Sequence, residues 1–171
     1  MLARSTTQPV DWPQPFSYLP RPIRVPNRAW QSILVGWLTT FVPSVAIGAI
    51  VTKLLPGAGL PDLGPANWLV AVLVVVVSPA IETLIMAGVL ELLVRLVPPP
   101  VAVVMSAIGW GVAHSLAAPA WGLVIWWPFL IFSTLYLSWR RRSVGAALAI
   151  VATTHALQNA LPMIAMLLAA K

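Results

Sequence analysis

Four polar side chains interrupt long apolar runs of this sequence and are of types that carry out chemistry. Glu82 lies in VVVVSPAIETLIMAGVLELL (residues 74–93), His114 lies in WGVAHS, and His155 and Asn159 lie in HALQN. A charged side chain at the centre of a bilayer costs about 2.5–3.5 kcal/mol, so Glu82 needs a partner or a function. A desolvated carboxylate can act as a general base toward water, while imidazole and amide groups can stabilise an oxyanion.

The composition places these residues in a membrane protein. Of the 171 residues, 60% are hydrophobic and only 8% are charged, and the mean hydropathy is +0.91, whereas soluble domains carry about 25% charged residues. The absence of Cys excludes disulfides, cysteine-ligated metals and thiol catalysis. The net charge is +6, but no basic run suits nucleic acid, so we expect membrane lipid and a membrane-associated peptide or protein as partners. The oligomeric state is not readable.

Five apolar segments are long enough to cross a bilayer, and they predict an all-α integral membrane protein with a bundle of about five transmembrane helices. The segments are residues 30–55, 68–96, 101–117, 121–139 and 143–171. Residues 29–171 form the predicted transmembrane domain. Residues 1–28 are rich in Pro and Arg and predict an interfacial segment, with the rings of Trp12, Phe16 and Tyr18 at headgroup level. A disordered tail is the alternative.

The basic residues predict the orientation of this bundle. If the N-terminus is cytoplasmic, eight of the ten basic residues lie on the cytoplasmic side and only Lys53 and Lys171 lie outside. The eight are Arg4, Arg21, Arg24, Arg28, Arg95, Arg140, Arg141 and Arg142. The positive-inside rule therefore favours a cytoplasmic N-terminus and an external C-terminus. The small size and tight loops favour a bacterial inner membrane.

The ionisable residues of three different spans are predicted to lie at one depth. Glu82 precedes Arg95 by 13 residues, and His114 and His155 follow Val101 and Arg142 by 13 residues each. At 1.5 Å per residue, each side chain lies about 20 Å from the cytoplasmic end of its span. Asn159 follows His155 at i+4 and projects from the same helix face. The pattern predicts one site built from Glu82, His114, His155 and Asn159.

Other uses of these groups remain open at this point. Two His and one Glu can bind zinc and leave a fourth position for water, but HExxH is missing and Asn is a poor zinc ligand, so no cofactor is expected. The four side chains could also hold helices together by hydrogen bonds. Glu91 is expected to pair with Arg95 at i+4, and Pro79 is expected to bend the second span.

Three motifs resemble those of one known family. SPAIETLIMAGVL, WGVAHS and HALQN are similar, in order, to the EExxxR, FxxxH and HxxxN/D motifs of the CPBP family, the CAAX prenyl proteases and bacteriocin-processing enzymes also called Abi proteins. The resemblance extends over roughly residues 68–165. It implies an intramembrane endopeptidase of the glutamic type, which cleaves a peptide bond in a membrane-associated substrate.

The resemblance also assigns roles and exposes departures. It places the water-activating base on Glu82 and the groups that orient water and stabilise the oxyanion on His114, His155 and Asn159. Thr83 stands where a second glutamate is usual, Ala87 where an arginine is usual and Trp110 where a phenylalanine is usual. The loss of the Glu and the Arg motivates one alternative, a catalytically silent relative that serves as a membrane binding or immunity factor. A second alternative is a proton or ion carrier that uses Glu82 and the two histidines as a relay.

Overall fold

The computed structural model describes residues 10–58, 61 and 64–170, and this part of the chain contains helices and no strand. The predicted all-α class is confirmed. The helices are α1 (Arg21–Arg24), α2 (Ala29–Leu54), α3 (Trp68–Val72), α4 (Ser78–Leu93), α5 (Pro99–Ser115), α6 (Gly122–Trp139) and α7 (Val144–Ala169), with a 3₁₀ turn at Phe16–Tyr18 and a π-helical turn at Leu73–Val77. The π-helical turn joins α3 to α4 in one continuous helix, Trp68–Leu93.

Four helices are long and apolar enough to cross a membrane: α2, Trp68–Leu93, α6 and α7. They coincide with four of the predicted spans. The remaining predicted span is α5, a helix of 17 residues and therefore about 26 Å long. That length is slightly less than the hydrocarbon core of a bilayer, which is about 30 Å thick. The bundle thus has four helices with the length and hydropathy of a membrane span, and α5, one residue shorter than α6, lies at the place of the remaining predicted span.

Helix α6 forms the centre of the bundle. Of its 18 residues, 67% are buried, whereas in an 18-residue apolar stretch of each of the other three long helices only 17% to 28% of the residues are buried. Helices α2, α5 and α7 pack around α6. The outward face of α2 exposes large apolar side chains, including Leu34, Leu38 and Val42. Continuous apolar surfaces of this kind are rare on proteins that face water, and they suit contact with lipid.

The inward face of α2 carries a small residue at every fourth position. Ser32, Gly36, Thr40 and Ser44 are its buried residues. A Cβ atom added to Gly36 would lie 2.9 Å from Cδ1 of Leu135 on α6, so the glycine allows the two helices to approach closely. Small residues at this spacing are the usual contact surface between membrane helices, because lipid offers no hydrophobic driving force for their association.

The N-terminal segment packs against the protein rather than against lipid. Trp12 and Phe16 are 6% and 7% exposed, Ile23 is fully buried, and all three belong to the same core as the inner face of α6. Protein side chains therefore surround Trp12 and Phe16, whereas Tyr18, at 75% exposure, is free to face the interface. The interfacial depth of the segment stays a prediction. Predictions for residues 1–9 and 171, which include Arg4 and Lys171, lie outside the described residues.

The expected bend at Pro79 takes the form of the π-helical turn directly before it. The backbone N–H of Ser78 donates to the carbonyl of Leu73, five residues back rather than four. A π turn inserts one extra residue into a helix and changes the direction of every side chain beyond it. The turn therefore decides which way α4, and with it Glu82, faces.

The predicted ion pair between Glu91 and Arg95 is replaced by a contact between helices. Oε2 of Glu91 lies 2.5 Å from Nη1 of Arg140, at the end of α6, and the Tyr136 hydroxyl donates to Oε1 of Glu91 at 2.9 Å. The i+4 prediction was wrong because it considered one helix alone, whereas the packing of α4 against α6 brings a second arginine closer.

Candidate functional site

Three of the four predicted site residues meet inside the bundle. Oε2 of Glu82 on α4 lies 3.9 Å from Nε2 of His114 on α5 and 3.8 Å from Nε2 of His155 on α7. Their side chains are 19%, 11% and 6% exposed, respectively. The prediction that these three residues share one depth is confirmed by their geometry.

The separations are longer than a hydrogen bond and suit a bridging water. Polar atoms that face each other beyond 3.5 Å are commonly joined through one water, which binds nearly as well as a direct partner. A single water placed between the carboxylate and the two rings can hydrogen-bond with all three. The geometry therefore fits a site that holds and activates water.

Ser78 fixes the Glu82 carboxylate and was missed by the sequence reasoning. It lies one turn before Glu82, and its hydroxyl donates a hydrogen bond to Oε1 of Glu82. With Oε1 held, Oε2 is the oxygen that faces both imidazoles. The signal in the sequence was the i, i+4 spacing of a serine and a glutamate on one helix, which allows such a bond.

A backbone carbonyl sets the tautomer of His114. Nδ1 of this ring lies 2.8 Å from the carbonyl oxygen of Trp110, one turn earlier on α5. A carbonyl only accepts hydrogen bonds, so Nδ1 carries the proton and a neutral His114 presents the lone pair of Nε2 toward Glu82. Two acceptors then face each other, and a donor such as the O–H of a water is required between them.

Aromatic rings hold the imidazoles in place. The ring of Phe129 stacks on Trp110 at a centroid distance of 4.3 Å, and Trp121 meets His114 edge-on at 4.5 Å. His155 lies against Phe132 at 4.7 Å and against Phe129 at 5.5 Å. Trp110 therefore packs against Phe129 and His114, as an aromatic residue at this position is expected to do.

His155 is the most deeply buried member of the site. The residue is 5% exposed, and its Nδ1 atom is buried with no hydrogen-bond partner. A proton on Nδ1 would be a buried N–H without an acceptor, which is more costly than a proton on Nε2 directed toward Glu82. The arrangement favours the tautomer in which Nε2 is a donor, complementary to the acceptor on His114.

Asn159 lies beside the site but its amide points to the backbone. Nδ2 of Asn159 donates to the carbonyl oxygen of Val74 in the π-helical turn, at 3.0 Å. The residue lines the same cavity as Glu82 and the two histidines. An amide nitrogen has two hydrogens, so this bond occupies one and leaves the second.

A cavity of about 390 Å³ opens beside Glu82. Its wall is mainly apolar and is contributed by α2, α6, α7 and the Trp68–Leu93 helix; polar groups are few and include Ser44, Gln158 and the site residues. Concave, mostly apolar surfaces with a few convergent polar groups are typical of binding sites for organic ligands. The cavity beside Glu82 has both of these features.

The two motif departures on α4, Thr83 and Ala87, lie on a different face of this helix from Glu82. Thr83 and Ala87 are 2% and 6% exposed and do not line the cavity, and Ala87 belongs to the same core cluster as Met86 and Leu90. The Thr83 hydroxyl is buried without a hydrogen-bond partner. Both residues are therefore buried in the packing of α4 and outside the cavity wall on which Glu82 lies.

Within the described ranges, no three His, Cys, Asp or Glu side chains are grouped in a way that could hold a metal ion. The expectation of no cofactor stays a prediction, and removal of metal ions with a chelator is the experiment that separates it from the zinc alternative.

Comparison with known proteins adds no identity to this site. No family model matches the chain, and neither the curated proteins nor the solved structures contain a match. The resemblance to the CPBP motifs therefore remains a prediction from the sequence.

Proposed function

We propose that this protein is a membrane-embedded hydrolase that cleaves a peptide bond in a membrane-associated substrate with a water activated by Glu82. One observation carries the proposal: Oε2 of Glu82 faces Nε2 of His114 and of His155 at 3.9 and 3.8 Å, on the wall of a cavity within the bundle. A carboxylate and two imidazoles from three helices, with a gap suited to one water, are the parts that such a reaction requires.

The proposed reaction proceeds in two proton transfers. Glu82 takes a proton from the water while the oxygen of that water attacks the peptide carbonyl carbon. Nε2–H of His155 donates to the oxyanion that forms, and the lone pair of His114 Nε2 orients the water. The C–N bond then breaks, and the leaving amine takes the proton from Glu82, which restores the resting carboxylate. The second amide hydrogen of Asn159 remains the predicted additional oxyanion donor.

The motif resemblance supports a protease of the CPBP type. In this chain the residues that replace the usual second glutamate and arginine, Thr83 and Ala87, are buried away from the cavity. A charged pair on that face would act through packing rather than at the reacting atoms. Their replacement by uncharged residues is therefore compatible with hydrolysis.

The location that we propose is a bacterial inner membrane with the N-terminus in the cytoplasm. The arginines of separate segments gather at one end of the bundle: Nη1 of Arg142 donates to the carbonyl of Asn27, and Arg140 pairs with Glu91. Lys53 lies in the last turn of α2, a full span away from this end. This distribution supports the positive-inside orientation.

The test is cleavage of a quenched library of membrane-anchored peptides by purified protein in lipid nanodiscs. We expect the parent to cleave, and we expect Glu82→Gln and His114→Ala to lower the rate by at least about 100-fold, the usual contribution of a general base. Glu91→Gln is the matched control, because it neutralises an acid that lies on the same helix but outside the cavity. A chelator should leave cleavage unchanged.

Other results would point to the alternatives. No cleavage by a folded parent would overturn the proposal in favour of a silent binding relative, and proton flux in proteoliposomes would favour a carrier. Loss of cleavage with chelator, restored by zinc, would replace the metal-free mechanism with a zinc-dependent one.

A further inference from the structure

A side chain of α7 is bonded to the backbone of the helix that carries the base. Nδ2 of Asn159 donates to the carbonyl oxygen of Val74 at 3.0 Å, across 85 positions of sequence. Val74 lies within the π-helical turn Leu73–Val77, which packs against α7. The contact is partly buried.

The hydrogen-bond register of the turn explains why Val74 needs an outside donor. The N–H of Ser78 bonds to the carbonyl of Leu73, five residues back. In the same register the next acceptor is Val74, and its donor would be the N–H of residue 79. Residue 79 is proline, which has no N–H. A carbonyl that loses its donor inside a bilayer costs several kcal/mol unless a neighbouring group bonds to it.

We propose that Asn159 is a positioning residue whose side-chain amide replaces the hydrogen-bond donor that Pro79 lacks, and that it thereby holds the π-helical turn in place. The turn sets the rotation of α4 from Ser78 onward, and Ser78 in turn holds Oε1 of Glu82. Through this bond Asn159 therefore acts on Glu82 by way of the backbone, while its second amide hydrogen stays available to the oxyanion.

Through this bond α7 positions both the imidazole of His155 and, by way of the π-helical turn, the carboxylate of Glu82. His155 and Asn159 are one turn apart on α7, so the helix that presents the imidazole to Oε2 of Glu82 also fixes the turn from which Glu82 extends. A small movement of α7 would carry the ring and the turn together and preserve their separation. The inference rests on the proposed function only for its effect on cleavage, since the bond itself is present without substrate.

The bond is tested by hydrogen–deuterium exchange of the resting protein in nanodiscs, which requires no substrate. In Asn159→Ala we expect the amides of the π-helical turn and of the first turn of α4 to exchange at least about tenfold faster, because the turn opens more readily. Leu157→Ala is the matched control: it truncates a lipid-exposed side chain two residues away on α7 and should leave those amides unchanged.

A second substitution tests the reason for the bond. Pro79→Ala restores an N–H at residue 79, so the double variant Pro79→Ala, Asn159→Ala should regain most of the protection lost in Asn159→Ala. If Asn159→Ala fails to fold, a folded double variant gives the same support. Fast exchange in the double variant, or its failure to fold, would overturn the proposal.

The rival role of Asn159 gives a different result. If the amide served only the oxyanion, Asn159→Ala would lose cleavage while the exchange of the turn stayed at the parent rate, and the positioning role would be wrong. If the parent cleaves no peptide at all, the exchange measurement still decides the role of the bond.

Discussion

Ser78 and Glu82 lie one turn apart on α4, and the Ser78 hydroxyl donates a hydrogen bond to Oε1 of the Glu82 carboxylate. This bond leaves Oε2 as the oxygen that faces both imidazoles. The geometry of the proposed base thus depends on a residue to which the resemblance assigns no role.

Removal of the Ser78 hydroxyl should lower the rate of cleavage without unfolding the protein. A hydrogen bond to a charged group is worth about 1.5–3 kcal/mol, so Ser78→Ala should lower kcat/KM by about 10- to 100-fold, whereas Ser78→Thr should retain most of the rate. Ser106→Ala is the control, because the Ser106 hydroxyl bonds to Ser133 and does not line the cavity. Equal rates for Ser78→Ala and the parent would refute the role.

Trp110 should be replaceable by phenylalanine but not by alanine. Its ring stacks on Phe129, and its carbonyl accepts from Nδ1 of His114. Phenylalanine keeps a stacked ring, worth about 0.5–1.5 kcal/mol, so Trp110→Phe should keep kcat within about threefold. Trp110→Ala removes the support of His114 and should lower kcat by about tenfold or more. Comparable rates for both variants would contradict this packing role.

The contact between α5 and α6 should tolerate no added methyl group at Gly122. A Cβ atom there would lie 2.0 Å from the Gly111 carbonyl oxygen and 2.1 Å from Oγ of Ser115. Because both helices must shift, Gly122→Ala should lower the free energy of unfolding by roughly 2–3 kcal/mol, measured by thermal unfolding in detergent.

Gly109→Ala is the matched control on α5. A Cβ atom at Gly109 meets nothing within 4 Å. Alanine is the better helix former by about 1 kcal/mol, so this variant should be as stable as the parent or slightly more stable. A Gly122→Ala protein as stable as Gly109→Ala would show that the two helices are farther apart than described.

The ion pair of Glu91 should be detectable through Arg140 and not through Arg95. Arg140→Gln removes the guanidinium 2.5 Å from Glu91 and should cost about 1 kcal/mol of unfolding free energy, as expected for a partly exposed pair. Arg95→Gln should change stability by less than about 0.5 kcal/mol. High salt should narrow the difference, since exposed charges are screened. The reverse order of the two effects would restore the predicted pair between Glu91 and Arg95.

Residue counting along single helices predicted the meeting of Glu82, His114 and His155. It succeeded because the spans are nearly regular α-helices and the charged helix ends give a common reference depth. The same counting places Asn159 on the face of His155, and that face is confirmed by its place in the cavity wall.

Contacts that depend on helix packing were not predictable from the sequence. The partner of Asn159 is a backbone carbonyl exposed by a π-helical turn, and an extra residue in a turn leaves no periodic signal. Glu91 pairs with Arg140 because α4 packs on α6. Residue spacing along one helix cannot reveal a contact between two helices. Trp12 and Phe16 resemble interfacial aromatics in composition, although they are core residues.

The burial of Ile23 against α6 constrains the order in which parts of the protein can pack during synthesis. The segment with Trp12, Phe16 and Ile23 is synthesised before α6, yet the core that it joins includes residues of α6, made about a hundred residues later. Its apolar side chains therefore stay unpacked while the intervening helices enter the bilayer. The point during translation at which this segment becomes resistant to protease would therefore report when α6 has packed against it.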